Sequence, residues 1–221
     1  MDGGNTMTGD PADDWLIVVP VKGGTDAKSR LVAPVGVDRH TLALAFSLDT
    51  VAAAVEAVGP GRVYAVTASE PARRSLSALG AHVVRDLGGG LNAAVRAGLE
   101  QAQADRGRQT AVAVLLADLP AVRVEEIRLA LHAAARTTRA VVPDAAGVGS
   151  VLITALGGAT LEPRFGPDSA ARHVEAGHHR IGLDLVGLRA DVDDAASLRA
   201  AIDVGVGRHT AAVLAGQPAL G

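Results

Sequence analysis

The sequence predicts an α/β fold of three layers, αβα, built on a mostly parallel, mixed sheet. Three observations point there. Short runs such as WLIVVPV (15–21) and AVAVLL (111–116) are of strand length and carry no polar face. Such strands belong in the middle of a parallel sheet covered on both sides. These runs alternate with segments of helical spacing, and that alternation implies right-handed crossovers onto one sheet. Finally, 221 residues with 48% apolar content suffice for one domain of this class with a sizeable core.

In chain order, residues 1–14 (MDGGNTMTGDPADD) are polar and acidic, with neither a basic start nor an apolar stretch. They read as a disordered lead-in, not a signal peptide, to a single domain over 15–221. After the first strand, residues 22–31 (KGGTDAKSRL) form a loop with cations at Lys22, Lys28 and Arg30. Asp38 can cap a helix over 39–58, in which Leu42, Ala45, Phe46, Val51, Ala52 and Val55 recur at helical spacing before Gly59-Pro60 ends it. A strand over 62–68, a short helix over 70–79 closed by Gly80, and a strand over 81–86 follow. Gly88, Gly89 and Gly90 turn the chain into a helix from 91 to about 104. The strand at 111 leads to a helix over 124–136. Regularity then weakens: a short strand at 140–144, a turn into a strand at 147–155, and a loop with a helix from Asp168 to 177. The stretch 181–194 ends in acids, a helix follows over 195–204, and one more is possible at 205–215.

Composition excludes several classes. Aromatics are only 2%, so Ala, Val and Leu must close the core. A net charge of −3 gives no electrostatic case for nucleic acid or an anionic membrane. With no cysteine, disulfides and thiolate metal sites are impossible. No uninterrupted apolar run reaches the ~18 residues of a membrane span, so a cytoplasmic protein is expected. No Walker A, GxGxxG, GxSxG or HExxH motif occurs. His178-His179 reads as a surface pair in a glycine-flanked turn, and His40, His82, His132 and His209 are scattered.

Three constellations could carry chemistry. The first is the 22–31 loop, whose small residues let backbone N–H groups approach phosphates while Lys22, Lys28 and Arg30 neutralise charge; a solvated basic turn is the other reading. The second is the acids. Asp118 lies just past the 111–116 strand, where ligands bind in open α/β sheets, yet Asp there can equally cap a turn. Asp191 and Asp193 in RADVDD share a side if the chain is extended, as a divalent cation would need, whereas Asp194 reads as the cap of the helix at 195. The third is RFGPDSAARH (164–173), with a Gly166-Pro167 turn, Asp168 or Ser169 as a helix cap, and Arg172 and His173 one turn in. It reads as an anion site or as a capped surface helix. Gly147, Gly149 and Ser150 make a similar small turn.

Read together, K-x5-K-x-R-L after the first strand, L-x-x-D-L-P at 115–120, RFGPDSAARH and D-x-D at 191–193 resemble the phosphoenolpyruvate/2-phospho-L-lactate guanylyltransferases of coenzyme F420 biosynthesis, actinobacterial type. The resemblance runs from Trp15 to about His209. It implies a nucleotide-diphospho-sugar-transferase-like (Rossmann-like) fold and transfer of GMP from GTP to the acid's phosphate, releasing pyrophosphate. By this likeness Lys22, Lys28, Arg30 and Asp118 are catalytic. GTP is held by Lys22, Lys28, Arg30, Thr67, Gly90 and Asn92. The small acid is held by Ser150, Gly166 and Ser169, and Mg²⁺ by Asp118, Asp191 and Asp193. The family pattern has Thr where this chain has Ser150, whose hydroxyl preserves the hydrogen bond. Expected partners are these small molecules, with a downstream pathway transferase and a homodimer left open, and with neither nucleic acid nor membrane. Another nucleotidyltransferase of this fold, acting on a sugar phosphate or a molybdopterin-type cofactor, is the alternative.

Overall fold

The computed structural model describes residues 15–21, 33 and 36–216. The lead-in and the loop with Lys22, Lys28 and Arg30 lie outside the described residues. The elements follow the expected order, with a short strand, β7, added where a turn was expected: β1 (Trp15–Pro20), α1 (Arg39–Val58), β2 (Val63–Thr67), α2 (Glu70–Ala78), β3 (His82–Arg85), α3 (Leu91–Arg106), β4 (Ala111–Leu115), α4 (Val124–Ala134), β5 (Arg139–Pro143), β6 (Ser150–Ala155), α5 (Ser169–Glu175), β7 (His179–Arg180), α6 (Ala195–Val204) and α7 (Arg208–Leu214).

The strands form one sheet in the order β3-β2-β1-β4-β6-β5-β7. Every pairing is parallel except those of β6, which runs against both β4 and β5. β1 is buried at all six positions because the sheet is covered on both faces. Its residues divide between two cores by the two-residue period of a strand. Trp15, Ile17 and Val19 meet α1, α2 and α4, while Leu16 and Val18 meet α3, Leu161 and Phe165. This is why the run needs no polar position. At Gly98, α3 lies almost on the sheet: an added Cβ would press into Val18 and sit 2.7 Å from Val66 Cγ2. A third cluster joins Leu42 and Phe46 of α1 to Val192, Leu198 of α6 and Val213 of α7.

The local signals work as read. Asp38 accepts from the Thr41 N–H at 2.8 Å and caps α1, and Gly59 ends it with φ +89°. By length and a mean hydropathy of 1.6, α1 is also, among the described residues, one helix capable of crossing a bilayer. Its apolar side chains instead pack on the sheet, α4 and α7. Within the stretch 181–194 the chain turns at 186–189. Arg189 N–H bonds Leu185 C=O at 3.0 Å in a turn, and Ile181, Leu185, Leu188 and Val192 are buried at helix-like spacing. Past that turn, Val192 is buried between the half-buried Asp191 and the exposed Asp193.

Candidate active site

β1 to β5 run the same way, so their carboxyl ends share one edge of the sheet. The reversed β6 brings its first residue to that edge: Leu115 faces Leu152, and Leu116 N–H bonds Val151 C=O at 2.9 Å. Strand order turns both ways from β1, the place where such sheets bind ligands. Every predicted site residue among the described ones falls on this edge. Thr67 ends β2 and is fully buried, its hydroxyl accepting from Ser69 N–H at 3.1 Å. Gly90 opens α3 with φ +86° and ψ −176°, a conformation that favours glycine. Asn92 of α3 reaches across 73 residues: its Oδ1 accepts from Phe165 N–H at 2.9 Å and its Nδ2 donates to Phe165 C=O at 3.1 Å. The side chain read as a base or ribose contact thus anchors the 164–168 loop to α3.

The turn after β4 is held from two sides. Thr50 of α1 accepts from Leu119 N–H at 3.3 Å, fixing the backbone around Asp118. Asp118 C=O accepts from Val192 N–H at 3.0 Å. That bond places the residue between Asp191 and Asp193 against Asp118, joining two segments more than 70 positions apart in sequence. Arg189 anchors the same stretch by donating to the carbonyls of Pro143 and Asp144. Among the described residues no three His, Asp or Glu side chains form a ready-made metal cage. The donor set still fits Mg²⁺, a hard cation that takes one or two carboxylates and completes its shell with water and substrate phosphates. Asp194 is the cap of α6, as read, accepting from Ala196 and Ser197 N–H at 2.9 and 2.8 Å, and these bonds lower its pKa.

The 164–173 segment closes the other side of the edge. Ser169 Oγ accepts from Ser150 N–H at 2.9 Å, tying α5 to β6. Neither Asp168 nor Ser169 caps α5 through its side chain. Asp168 lies in the left-handed region at φ +53° without a capping bond, and Ser169 is engaged with β6. His173, unassigned by the sequence reading, organises the pocket. It is fully buried, and Arg164 N–H donates to its Nε2 at 3.0 Å. Nε2 is therefore unprotonated, and Nδ1–H donates to Ser150 Oγ at 2.9 Å. Desolvation above all, then the neighbouring His178 and Arg172, pushes its pKa down to about 4, so the ring is neutral at pH 7. Ser150 and Ser169 each already accept a hydrogen bond at this site, which leaves their own hydroxyl hydrogens for another acceptor. Gly166, in the same segment, has φ +127°. His178 is not the surface residue expected: it is 4% exposed and bonds His173 C=O at 2.9 Å, and only His179 faces solvent. The 147–150 turn is built by Asp144, whose carboxylate accepts from Val148 and Gly149 N–H at 2.9 and 2.7 Å.

Comparison with known proteins agrees with this geometry. Residues 45–185 match the MobA-like NTP transferase domain. A phosphoenolpyruvate guanylyltransferase of Streptomyces coelicolor is 49% identical over 205 residues, covering 91% of this chain and 96% of that protein. Another, of Streptomyces avermitilis, is 46% identical over 91% of this chain and 94% of its own. Among solved structures, a Desulfovibrio desulfuricans protein assigned to the nucleotide-diphospho-sugar transferases superimposes with a TM-score of 0.58, at 17% identity, over 87% of this chain and 96% of that one. The Mycobacterium tuberculosis protein Rv0371c, in complex with manganese, does so with a TM-score of 0.52, at 20% identity, over 86% and 98%. These two likenesses are of fold alone. With a matched domain across most of its length and near-full-length relatives at almost half identity, the chain belongs to the phosphoenolpyruvate guanylyltransferases, within the MobA-like nucleotidyltransferases.

Proposed function

We propose that the chain joins GMP from GTP to the phosphate of phosphoenolpyruvate and releases pyrophosphate, a reaction of coenzyme F420 biosynthesis set in the cytoplasm. The observation that carries this reading is the pairing of β4 with β6. It makes an acidic turn at Asp118 the neighbour of the serine hydroxyls of Ser150 and Ser169. A reaction between two phosphates needs that adjacency.

The chemistry is an in-line displacement. An acceptor phosphate oxygen forms a bond to the α-phosphorus of GTP, and the bond from that phosphorus to the bridging oxygen of pyrophosphate breaks. The acceptor is already ionised, so no general base is required, and the work of the protein is alignment and charge neutralisation. Ser150, Gly166 and Ser169 hold the small acid. Thr67, Gly90 and Asn92 border the nucleotide, Asn92 also fixing the 164–168 loop. Lys22, Lys28 and Arg30 neutralise charge on the triphosphate and the departing pyrophosphate. Asp118, Asp191 and Asp193 would hold Mg²⁺ together with those phosphates. Bound there, it neutralises phosphate charge and polarises the α-phosphorus.

The test is pyrophosphate release from GTP and Mg²⁺ with phosphoenolpyruvate, with 2-phospho-L-lactate, and with neither. Release only when an acid is present is expected, and the comparison ranks the two acids. Asp118→Asn should lower turnover by about 10²-fold or more, the scale of losing one preorganised charge-stabilising group, while its unfolding midpoint stays in place. No pyrophosphate with either acid would reject the reaction. Undiminished turnover in Asp118→Asn would reject the role of that residue.

A further inference from the structure

Arg172 has no role in the site as built so far. It lies on α5 between Ala171 and the buried His173. Its Nε and Nη2 are both buried, and neither has a hydrogen-bond partner. Those two N–H groups point the same way along one edge of the guanidinium, forming the fork that grips a carboxylate or phosphate with two parallel bonds. A buried guanidinium edge without an acceptor is costly to hold in a fold unless a ligand supplies one.

The position of the fork says which ligand. Nη2 lies 3.0 Å from where a Cβ on Gly166 would sit, so the guanidinium lies against the Gly166 turn and a side chain there would crowd it. The next residue in the chain, His173, bonds the Ser150 hydroxyl at 2.9 Å. α5, which carries Arg172, packs on β5 and β6, whereas Asp118 follows β4. An acceptor acid with two anionic ends must turn its phosphate toward Asp118 and the nucleotide. Its planar carboxylate then falls toward α5.

We propose that Arg172 binds the carboxylate of the acceptor acid through its Nε and Nη2 edge, fixing the direction in which the phosphate is presented. This deepens the guanylyltransferase reading and rests on it for the identity of the acid. The discriminating acceptor is vinyl phosphate, which is phosphoenolpyruvate without its carboxylate. Binding of both compounds to the wild-type and Arg172→Ala proteins is followed by equilibrium titration in the presence of GTP and Mg²⁺, and turnover by pyrophosphate release.

In the wild-type protein phosphoenolpyruvate should bind far more tightly than vinyl phosphate. In Arg172→Ala that preference should collapse by about 100-fold, the loss typical of truncating one partner of a buried charge pair. Vinyl phosphate binding and the KM for GTP should not change. Arg172→Lys should recover part of the preference, since it returns the charge without the fork, and it serves in place of the alanine variant if that chain does not fold. Equal weakening of both phosphates would overturn the proposal by placing the fork on the shared phosphate. An unchanged preference would overturn it by making Arg172 structural. Failure of the underlying reading looks different: wild-type protein would release no pyrophosphate, while titration would still report whether carboxylate binding depends on Arg172.

Discussion

Asp49 offers the most direct test of how the fold supports the site. It lies on α1, is 6% exposed, and accepts from His209 N–H at 2.9 Å and Thr210 N–H at 2.8 Å, capping α7 from across the core. Replacing it with alanine strips α7 of both acceptors, and the Thr210 N–H has no water to turn to because that residue is fully buried. One buried donor left unsatisfied, plus loss of a charge-assisted cap, should cost about 2–4 kcal/mol. For a chain of this length that lowers the thermal midpoint by roughly 4–16 °C. Asp49→Asn keeps the shape and one acceptor oxygen, and should lose about half as much. Thermal and urea unfolding followed by circular dichroism measure both. The site should respond too, because Gly207 N–H, just before α7, bonds Pro120 C=O at 2.8 Å and so buttresses the Asp118 turn. Turnover well below the midpoint should therefore fall along with stability. A midpoint for Asp49→Ala within about 0.5 kcal/mol of wild type, the scatter of ordinary surface changes, would refute the reasoning.

Two further outcomes can be checked. Gly98→Ala gains up to ~1 kcal/mol of helix propensity, but its Cβ drives into Val18 and Val66; overpacking of about 1–3 kcal/mol should prevail, giving a lower urea midpoint with an unchanged slope. His173 has a folded pKa of about 4 against an ordinary value of 6.5, so between those values the unfolded chain binds a proton that the native one refuses. Stability from this residue is thus full above about pH 6.5 and is lost as pH falls, by roughly 1–2 kcal/mol between pH 7 and 5 once solvent screening is allowed for. His178, whose pKa is also depressed by burial, acts in the same direction. Urea titrations at the two pH values should show a shallower pH dependence for His173→Gln than for wild type.

The sequence by itself determined the scaffold. Runs apolar on both faces could be buried only inside a covered sheet, and β1 and β4 are there. Caps such as Asp38 and Asp194 were legible because capping acts over three residues. Asp118 could be placed at a ligand-binding edge because the end of a buried strand in an alternating α/β chain is such an edge. Only the tertiary structure decided what happens at that edge. The antiparallel turn of β6 puts Ser150 beside β4, Val192 N–H brings the D-x-D stretch to Asp118, and Asn92 holds the Phe165 backbone. The role of His173 within the RFGPDSAARH segment stayed unread because it lies in bonds to Ser150, 23 positions away, and to the Arg164 backbone. Arg172 showed its unpartnered edge only once the pocket was built around it. The division has one physical cause. Periodicity and capping are fixed by neighbours within a turn or two of chain, whereas hydrogen-bond partnership and burial depend on segments that only the strand order brings together.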